Sequence, residues 1–356
     1  MSGHVSLLAV NVGSSSLKLA RFDLVAGEPV ERWRRSDTTE PDVPPDLAGN
    51  WRDAHAPGSA PPGLVVHRIV HGGADHAGPA LVDDALVAEL WALEPFAPLH
   101  QPAGLRGVAA AQRAFPDAVQ VACFDTAFHR SLPPVATHLG LPHGLWERGI
   151  RRYGFHGLSF EHVVDEVGAD RLGRAVIAHL GSGASLCAVV DGRSVDTTMG
   201  LSPAGGVVMG TRPGDLDPGV LTHLARHGLD GDGPLDTDTL EDLVNHRSGL
   251  LGLSGRTSDM QQLLGARATD PAADLAVRVF CRSVAKAVGS LVPVLGGIDT
   301  LVFTGGIGEH AAPIRAEVCE PLGFLGLAPD RVLVVAADEE LTMARQAAPF
   351  APSPAG

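Results

Sequence analysis

Two arginines in this sequence stand beside glycine-bearing turns, Arg68 in "HRIVHGG" and Arg212 in "GTRPGD". A planar guanidinium can grip a carboxylate or a phosphoryl group through two parallel N–H donors. Flanking glycines let backbone and ligand approach closely, which separates these two from the usual salt-bridged surface arginine. The stretch "NVGSSSLK" (11–18) raises a related question. It is not a P-loop, which needs two glycines four residues apart, then Lys-Ser or Lys-Thr and a helix. Here one glycine precedes three serines and the chain continues as a strand. Such a hairpin can still present backbone N–H groups and the hydroxyls of Ser14 and Ser16 to phosphate oxygens, with Lys18 adding charge. Standing alone, it would read as a plain polar turn.

Other residues carry chemistry by position. Asp125 closes the apolar run "AVQVACF", at the carboxyl edge where sheets commonly hold site residues. His156 sits among aromatics in "YGFHG", a setting that by itself suits a hydrogen-bonded core histidine. "GGIGEH" (305–310) reads as a glycine loop after a strand and before a helix, able to meet a ribose or phosphate. Glu339 in "DEEL" reads as a charge in the first turn of a helix.

These residues need elements to hold them. Residues 5–10 and 17–24 read as strands joined by the Gly-Ser turn. A Pro-, Gly- and Asp-rich stretch from Ser36 to Gly63 reads as a loop. Helical patterns cover Asp83–Leu93 and Gly104–Phe115. A long helix follows the cap Asp270 and Pro271, ending near Pro293 and Gly296. "RAVIAHLGSGASLCAVV" repeats the opening design of strand, glycine-serine turn, strand. Two such units opening two halves of the chain indicate a duplicated α/β fold with a cleft between the halves.

Length and composition narrow the class. The chain has 356 residues, 45% of them hydrophobic, enough for two domains. No signal peptide and no run long enough to span a bilayer is visible. Cys123, Cys187, Cys281 and Cys319 are scattered without metal spacing, which fits reduced thiols in a cytoplasmic protein. A formal net charge of −14 argues against a nucleic-acid surface, so an anionic substrate must be caught by a few local cations.

In order along the chain, "NVGSSSLK", "HRIVHGG", "APLHQPAG", "FDTAFHRSLP", "RRYGFHGLSF", "HLGSGASL", "DTTMGLSPAGGVVMGTRPGDLDPG", "SGLLGLSGRTSDM", "FTGGIGEH" and "ADEELTMAR" resemble the motif set of the acetate kinase family. The resemblance covers nearly the whole chain. It implies two actin-like (ribonuclease H-like) domains, one of residues 1–125 plus 341–356 and one of residues 126–340. It also implies a cytoplasmic homodimer that transfers phosphate in line from ATP to acetate, or to propionate or another short acid, with Mg2+ (or Mn2+). The alternative of another class is a weakly catalytic nucleotide sensor of the same superfold.

The resemblance assigns site residues one by one. Arg68 binds the acyl substrate, Arg212 steadies the phosphoryl group, and His156 stabilises the transition state. Asp125 takes a catalytic role, with metal or water organisation physically preferred because a carboxylate nucleophile needs no base. Val70, Leu99, His100, Phe155 and Pro203 line the acyl side. Ser14, Ser16, Lys18, His179, Leu180, Gly181, Ser182, Gly183, Asp259, Met260, Gln261, Gly306, Ile307, Gly308, Glu309 and His310 serve the nucleotide. Asn11 and Glu339 serve the metal. The chain departs from the family pattern at Ser182, Met260, Gln261 and His310 on the nucleotide side, and at Leu158, Phe160, Gln101 and Gly104 elsewhere. Those departures bear on nucleotide preference, acyl specificity and turnover more than on reaction class.

Overall fold

The computed structural model describes residues 5–13, 16–38, 45–53, 60–229 and 233–352. The chain divides into two compact units. The first takes Met1–Arg130, Phe155–His162 and Asp338–Gly356, and the second takes Ser131–Gly154 and Val163–Ala337.

The first unit is built on β1 (Val5–Val12), β2 (Ser16–Val25), β3 (Glu28–Thr38), β4 (Leu64–Ile69), β5 (Ala80–Leu81) and β6 (Val119–Phe124). They form one mixed sheet in the order β3-β2-β1-β4-β6-β5. The first three strands run antiparallel as hairpins, and β4 and β6 run parallel to β1. Alternate residues of a strand face opposite sides of a sheet, and the core follows that period. Leu7, Ala9, Phe22, Val66, Val121 and Cys123 pack on one side with Met343, Ala344 and Ala347 of the helix Glu339–Ala347. On the other side Leu8, Val10, Leu19 and Val65 meet Ala110 and Ala111 of the helix Gln101–Ala114.

The stretch from Ser36 to Gly63 is not simply a loop. Ser36–Thr38 complete β3, and Leu47–Asp53 form a helix. Leu47 and Trp51, one turn apart, bury against the sheet, with the Trp51 ring edge-on to Phe115 at 5.9 Å. Two apolar anchors at helical spacing outweigh the surrounding prolines.

The second unit repeats the plan with β7 (Ala175–Leu180), β8 (Ala184–Val190), β9 (Arg193–Thr197), β10 (Thr300–Thr304) and β11 (Val332–Val334). Their order is β11-β10-β7-β8-β9, again with three antiparallel strands first and two strands added parallel to the opening one. The helix Pro271–Leu295 starts where the Asp270 side chain accepts from the N–H groups of Ala272 and Ala273, and it ends at left-handed Gly296. Residues 305–310, expected as a loop, instead form a short helix (Gly305–His310) entered directly from β10. Among the described residues no helix is long and apolar enough to cross a membrane.

Candidate active site

The period of two that builds the first core also builds a polar cluster at its edge. Asn11 continues the Leu7–Ala9 face of β1 by one more step. Arg68 continues the Leu64–Val66 face of β4, and Asp125 lies two residues beyond Cys123 at the end of β6. Arg68 is in register with Cys123 on β6, so these side chains converge beside the start of the helix Glu339–Ala347.

The Arg68 guanidinium organises the cluster. Its Nε and Nη2 donate to the two Asp125 carboxylate oxygens at 3.0 and 2.7 Å, and Nη1 donates to Glu339 Oε2 at 2.9 Å and Asn11 Oδ1 at 3.4 Å. The paired fork suggested by the residue type is therefore directed at Asp125, and among the described residues one of the five guanidinium hydrogens, on Nη2, remains for a ligand. Burial works against the Arg68 charge, but Asp125 and Glu339 more than offset it, so its pKa lies above the ordinary arginine value. Burial raises the Asp125 pKa and Glu339 adds to the rise, while the Arg68 charge, its hydrogen bonds and the backbone N–H of His156 oppose it.

Asp125 is gripped by its backbone as well. Its N–H donates to the Ile69 carbonyl at 3.0 Å, and its own carbonyl accepts from Gly157 N–H at 2.9 Å. A Cβ on Gly157 would stand 2.1 Å from that carbonyl oxygen, so only glycine allows the helix Gly157–Val167 to begin there. His156, just before it, has φ of 60°, a conformation that non-glycine residues adopt only at a cost. The strain places His156 beside Asp125, with its backbone donating to the carboxylate.

The second unit presents a different arginine. Arg212 is 6% exposed, and the Pro203 carbonyl accepts from its Nη1. Among the described residues no carboxylate pairs with it. Burial pushes its pKa down to about 10. Arg212 sits on a tight turn in which its carbonyl accepts from Met209 N–H, and Gly210 N–H donates to the Ser182 carbonyl, both at 3.0 Å. Gly249, at φ of 62°, seals that turn, and a Cβ there would meet Met209 O at 2.3 Å and Arg212 N at 2.8 Å. His179, next to last in β7, is buried, with its Nε2 close to Gly305 at the entry to the helix Gly305–His310.

Other expected residues lie further from these two centres. Lys18 is opposite Asn11 in the β1–β2 register and exposed, and the Ser16 carbonyl accepts from Gly13 N–H; Ser14 lies outside the described residues. Phe155 and Val70 are buried, and Phe155 stands edge-on to His71 at 5.5 Å. His100 occupies the position before the helix Gln101–Ala114, and Leu99 is half-buried. Leu180 is a core residue of β7, with Gly181 and Gly183 joined by a backbone bond of 3.0 Å. Asp259 caps the helix Met260–Ala266; Met260 packs inside and Gln261 is exposed. Gly306 and His310 are exposed, Gly308 is buried and Ile307 half-buried, while Glu309 Oε1 accepts from Ala337 N–H at 3.0 Å. Leu158 and Phe160 are core residues. Gln101, fully inside, donates to the carbonyls of His71 and Leu90 and accepts from His71 N–H. Sequence reasoning missed Arg34 and Glu340, which join the Asn11 cluster. Glu340 adjoins Glu339 in "DEEL", whereas nothing in "RWRR" sets Arg34 apart.

A profile described as the Acetokinase family matches residues 59–349. The chain belongs to that family. An acetate kinase of Rhodopseudomonas palustris (strain TIE-1) is 47% identical over 271 residues, covering 75% of this chain and 66% of that protein, just under two thirds of its length. An acetate kinase of Clavibacter michiganensis is 40% identical over 393 residues, covering 96% of this chain and 98% of that one. Among solved structures, Porphyromonas gingivalis acetate kinase matches with a TM-score of 0.79 and 31% identity, over 96% of this chain and 98% of that one. A Francisella tularensis propionate kinase matches with a TM-score of 0.82, again at 31% identity over 96% and 98% of the two chains. The two mixed sheets of matching order are the architecture of these actin-like acetokinase-family proteins.

The acetokinase-family cluster has the composition of a hard-cation site. Asp125, Glu339 and Glu340 are each 5% exposed or less; Arg68 bonds the first two and Arg34 the third, so three carboxylates meet two guanidinium groups. Excess buried carboxylate charge is costly without a cation. Among the described residues no group of three or more His, Cys, Asp or Glu is arranged to hold a metal ion. Oxygen donors from Asn11 and Glu339 with water in the remaining positions fit magnesium, which keeps several waters.

Proposed function

We propose that the protein is an acetate kinase, converting ATP and acetate to ADP and acetyl phosphate by direct in-line transfer. The acetate oxygen forms a bond to the γ-phosphorus as the bond from phosphorus to the ADP oxygen breaks, and the electron pair leaves with ADP. Direct transfer needs no covalent enzyme intermediate, and no general base is needed because acetate is already ionised near neutral pH.

The observation that carries this reading is Arg212, a buried guanidinium whose side chain bonds a carbonyl and no carboxylate among the described residues. A buried unpaired cation is expensive unless an anion completes it, and charge spreading over a transferring phosphoryl group is such an anion. Arg68 contributes charge and its remaining Nη2 hydrogen to the acyl carboxylate. Asp125, held by Arg68 and by His156 and Gly157 backbone donors, keeps that guanidinium in place. The strained His156 is held ready to donate to charge developing on the phosphoryl group. Asn11 and Glu339 would hold Mg2+ or Mn2+, which supplies charge neutralisation on the nucleotide phosphates. The buried free thiols Cys123, Cys187 and Cys281 support a reducing, cytoplasmic setting. ATP/ADP, a short carboxylate and a second copy of the chain are the partners in this reading.

The likeness to a propionate kinase favours a second reading, in which propionate is the acceptor. One methylene in an apolar pocket changes selectivity by about 10–200-fold. A hydroxylamine trap decides between them. Mg-ATP is supplied with acetate, propionate, butyrate or no acid, beside an Arg212→Ala control. Acid-dependent acyl hydroxamate that disappears in the control is expected, and the yields rank the acids. No hydroxamate with any acid, in a protein that still binds ADP, would overturn the kinase reading in favour of a diverged nucleotide binder.

A further inference from the structure

We infer that Arg34 is a positioning residue for the divalent-cation site, acting through Glu340 to fix which end of the Asn11 amide faces the cation. The inference rests on the kinase reading only in taking Asn11 and Glu339 as the residues that meet the cation.

Asn11 is 3% exposed, and its amide has one donor end and one acceptor end. Nδ2 donates to Glu339 Oε2 at 3.0 Å and to Glu340 Oε1 at 2.7 Å. Carboxylate oxygens accept, so two of them on one side place the NH2 end toward them. The carbonyl end, Oδ1, is thereby turned toward Arg68 Nη1 at 3.4 Å, and it is the end of the amide that an oxygen-seeking cation would take. With one carboxylate fewer, the preference for this amide orientation weakens.

Arg34 holds the Glu340 carboxylate in that place. Glu340 is 2% exposed, and its second oxygen, Oε2, accepts from Arg34 Nη1 at 2.9 Å. Arg34 reaches from β3, and its Nη2 also donates to both oxygens of Asp338 at 2.8 Å. Asp338 in turn caps the helix Glu339–Ala347, accepting from Leu341 N–H at 2.9 Å. One guanidinium thus ties the helix start to the sheet and balances the carboxylate that orients Asn11. Glu31 completes its surroundings, accepting from Arg34 at 2.7 Å. Partners one step removed from a metal typically change its affinity by about 10–100-fold.

The test measures Mn2+ binding in the presence of ADP, from the electron paramagnetic resonance signal of free Mn2+, for wild type, Arg34→Lys, Arg34→Met and Arg34→Met/Glu340→Gln. The double variant removes the charge that Arg34→Met would leave buried and unpaired, so it separates misfolding from misorientation. Expected is a loss of about 10–100-fold in Mn2+ affinity for Arg34→Met and for the double variant, with partial recovery in Arg34→Lys. The carboxylate KM should move by less than about threefold, since the change lies on the cation side. Wild-type Mn2+ affinity in a folded double variant would overturn the inference, as would a wild type that binds no Mn2+ with ADP. Weakening strictly in step with lost thermal stability would also overturn it. A wild type that forms no acyl hydroxamate, with variants that still lose Mn2+ affinity, would sink the kinase reading and leave the positioning role standing.

Discussion

Arg68 and Arg212 are the same residue type near glycine turns, yet burial treats them differently. Arg68 is surrounded by carboxylates that its removal would leave buried and unpaired. Arg68→Met should therefore destabilise the fold by about 3–5 kcal/mol, read as a lower urea midpoint. Arg212 has its own charge unpaired by any carboxylate among the described residues, so Arg212→Met should leave the urea midpoint unchanged or raise it. The same variant should lower kcat by about 10²–10³, as loss of a preorganised donor does. Equal destabilisation by the two substitutions would contradict this contrast. His67, one residue before Arg68, adds a pH dependence. It is fully buried, with Nε2 bonded to Gln120 Oε1 at 2.8 Å, and burial holds its pKa down to about 4 against that hydrogen bond. The unfolded chain takes up the proton near pH 6.5 and the folded chain does not. Stability present above about pH 6.5 is thus lost as pH falls toward 4, by roughly 3 kcal/mol for this one group. His67→Gln should flatten the fall in melting temperature over that window, and an unchanged slope would assign it to other groups.

Strands and their turns set these side chains in place, and here the legible and illegible parts of the sequence separate. The hairpin around Gly13, the strand leading to Asp125 and the capped helix after Asp270 were readable, because their signals lie within a few adjacent residues. The helix Leu47–Asp53 was not, since two anchors among prolines form no sustained pattern, and their partner Phe115 is remote in sequence. The Arg34–Glu340–Asn11 chain was hidden for the same reason, its members joining only through sheet order. Gly249 shows how much a turn can depend on one missing side chain. Gly249→Ala should displace the turn that carries Arg212, lowering kcat and thermal stability together. Gly255→Ala is the control, also at positive φ (60°) but with nothing within 4 Å of a Cβ. It should cost about 1 kcal/mol of backbone strain and leave kcat alone. Equal effects on kcat would mean that strain, not crowding at Arg212, is responsible.

Taken as one body of charge, the chain carries −14 while its proposed substrates are anions. The general field therefore opposes their approach, and only the local cations of the two units reverse it. Salt shortens the reach of the general field more than that of buried groups, with a screening length near 10 Å at 0.1 M. kcat/KM for the nucleotide should rise as ionic strength climbs from about 0.01 to 0.1 M, before direct contacts weaken. A monotonic fall from the lowest salt would show that local attraction dominates throughout.

The bond between Asn11 and Glu339 joins residues 328 positions apart. On a ribosome, β1 emerges early and the helix that completes its polar edge emerges only after the whole second unit. Until then Asn11 and Arg68 have neither Glu339 nor Glu340 beside them, and the sheet face awaiting Met343 and Ala347 stays uncovered. The first unit is thus the last to finish, and a nascent chain stalled short of Asp338 would expose that face to chaperones and proteases. The contact that readies the cation side of the site also records that synthesis has reached the final helix.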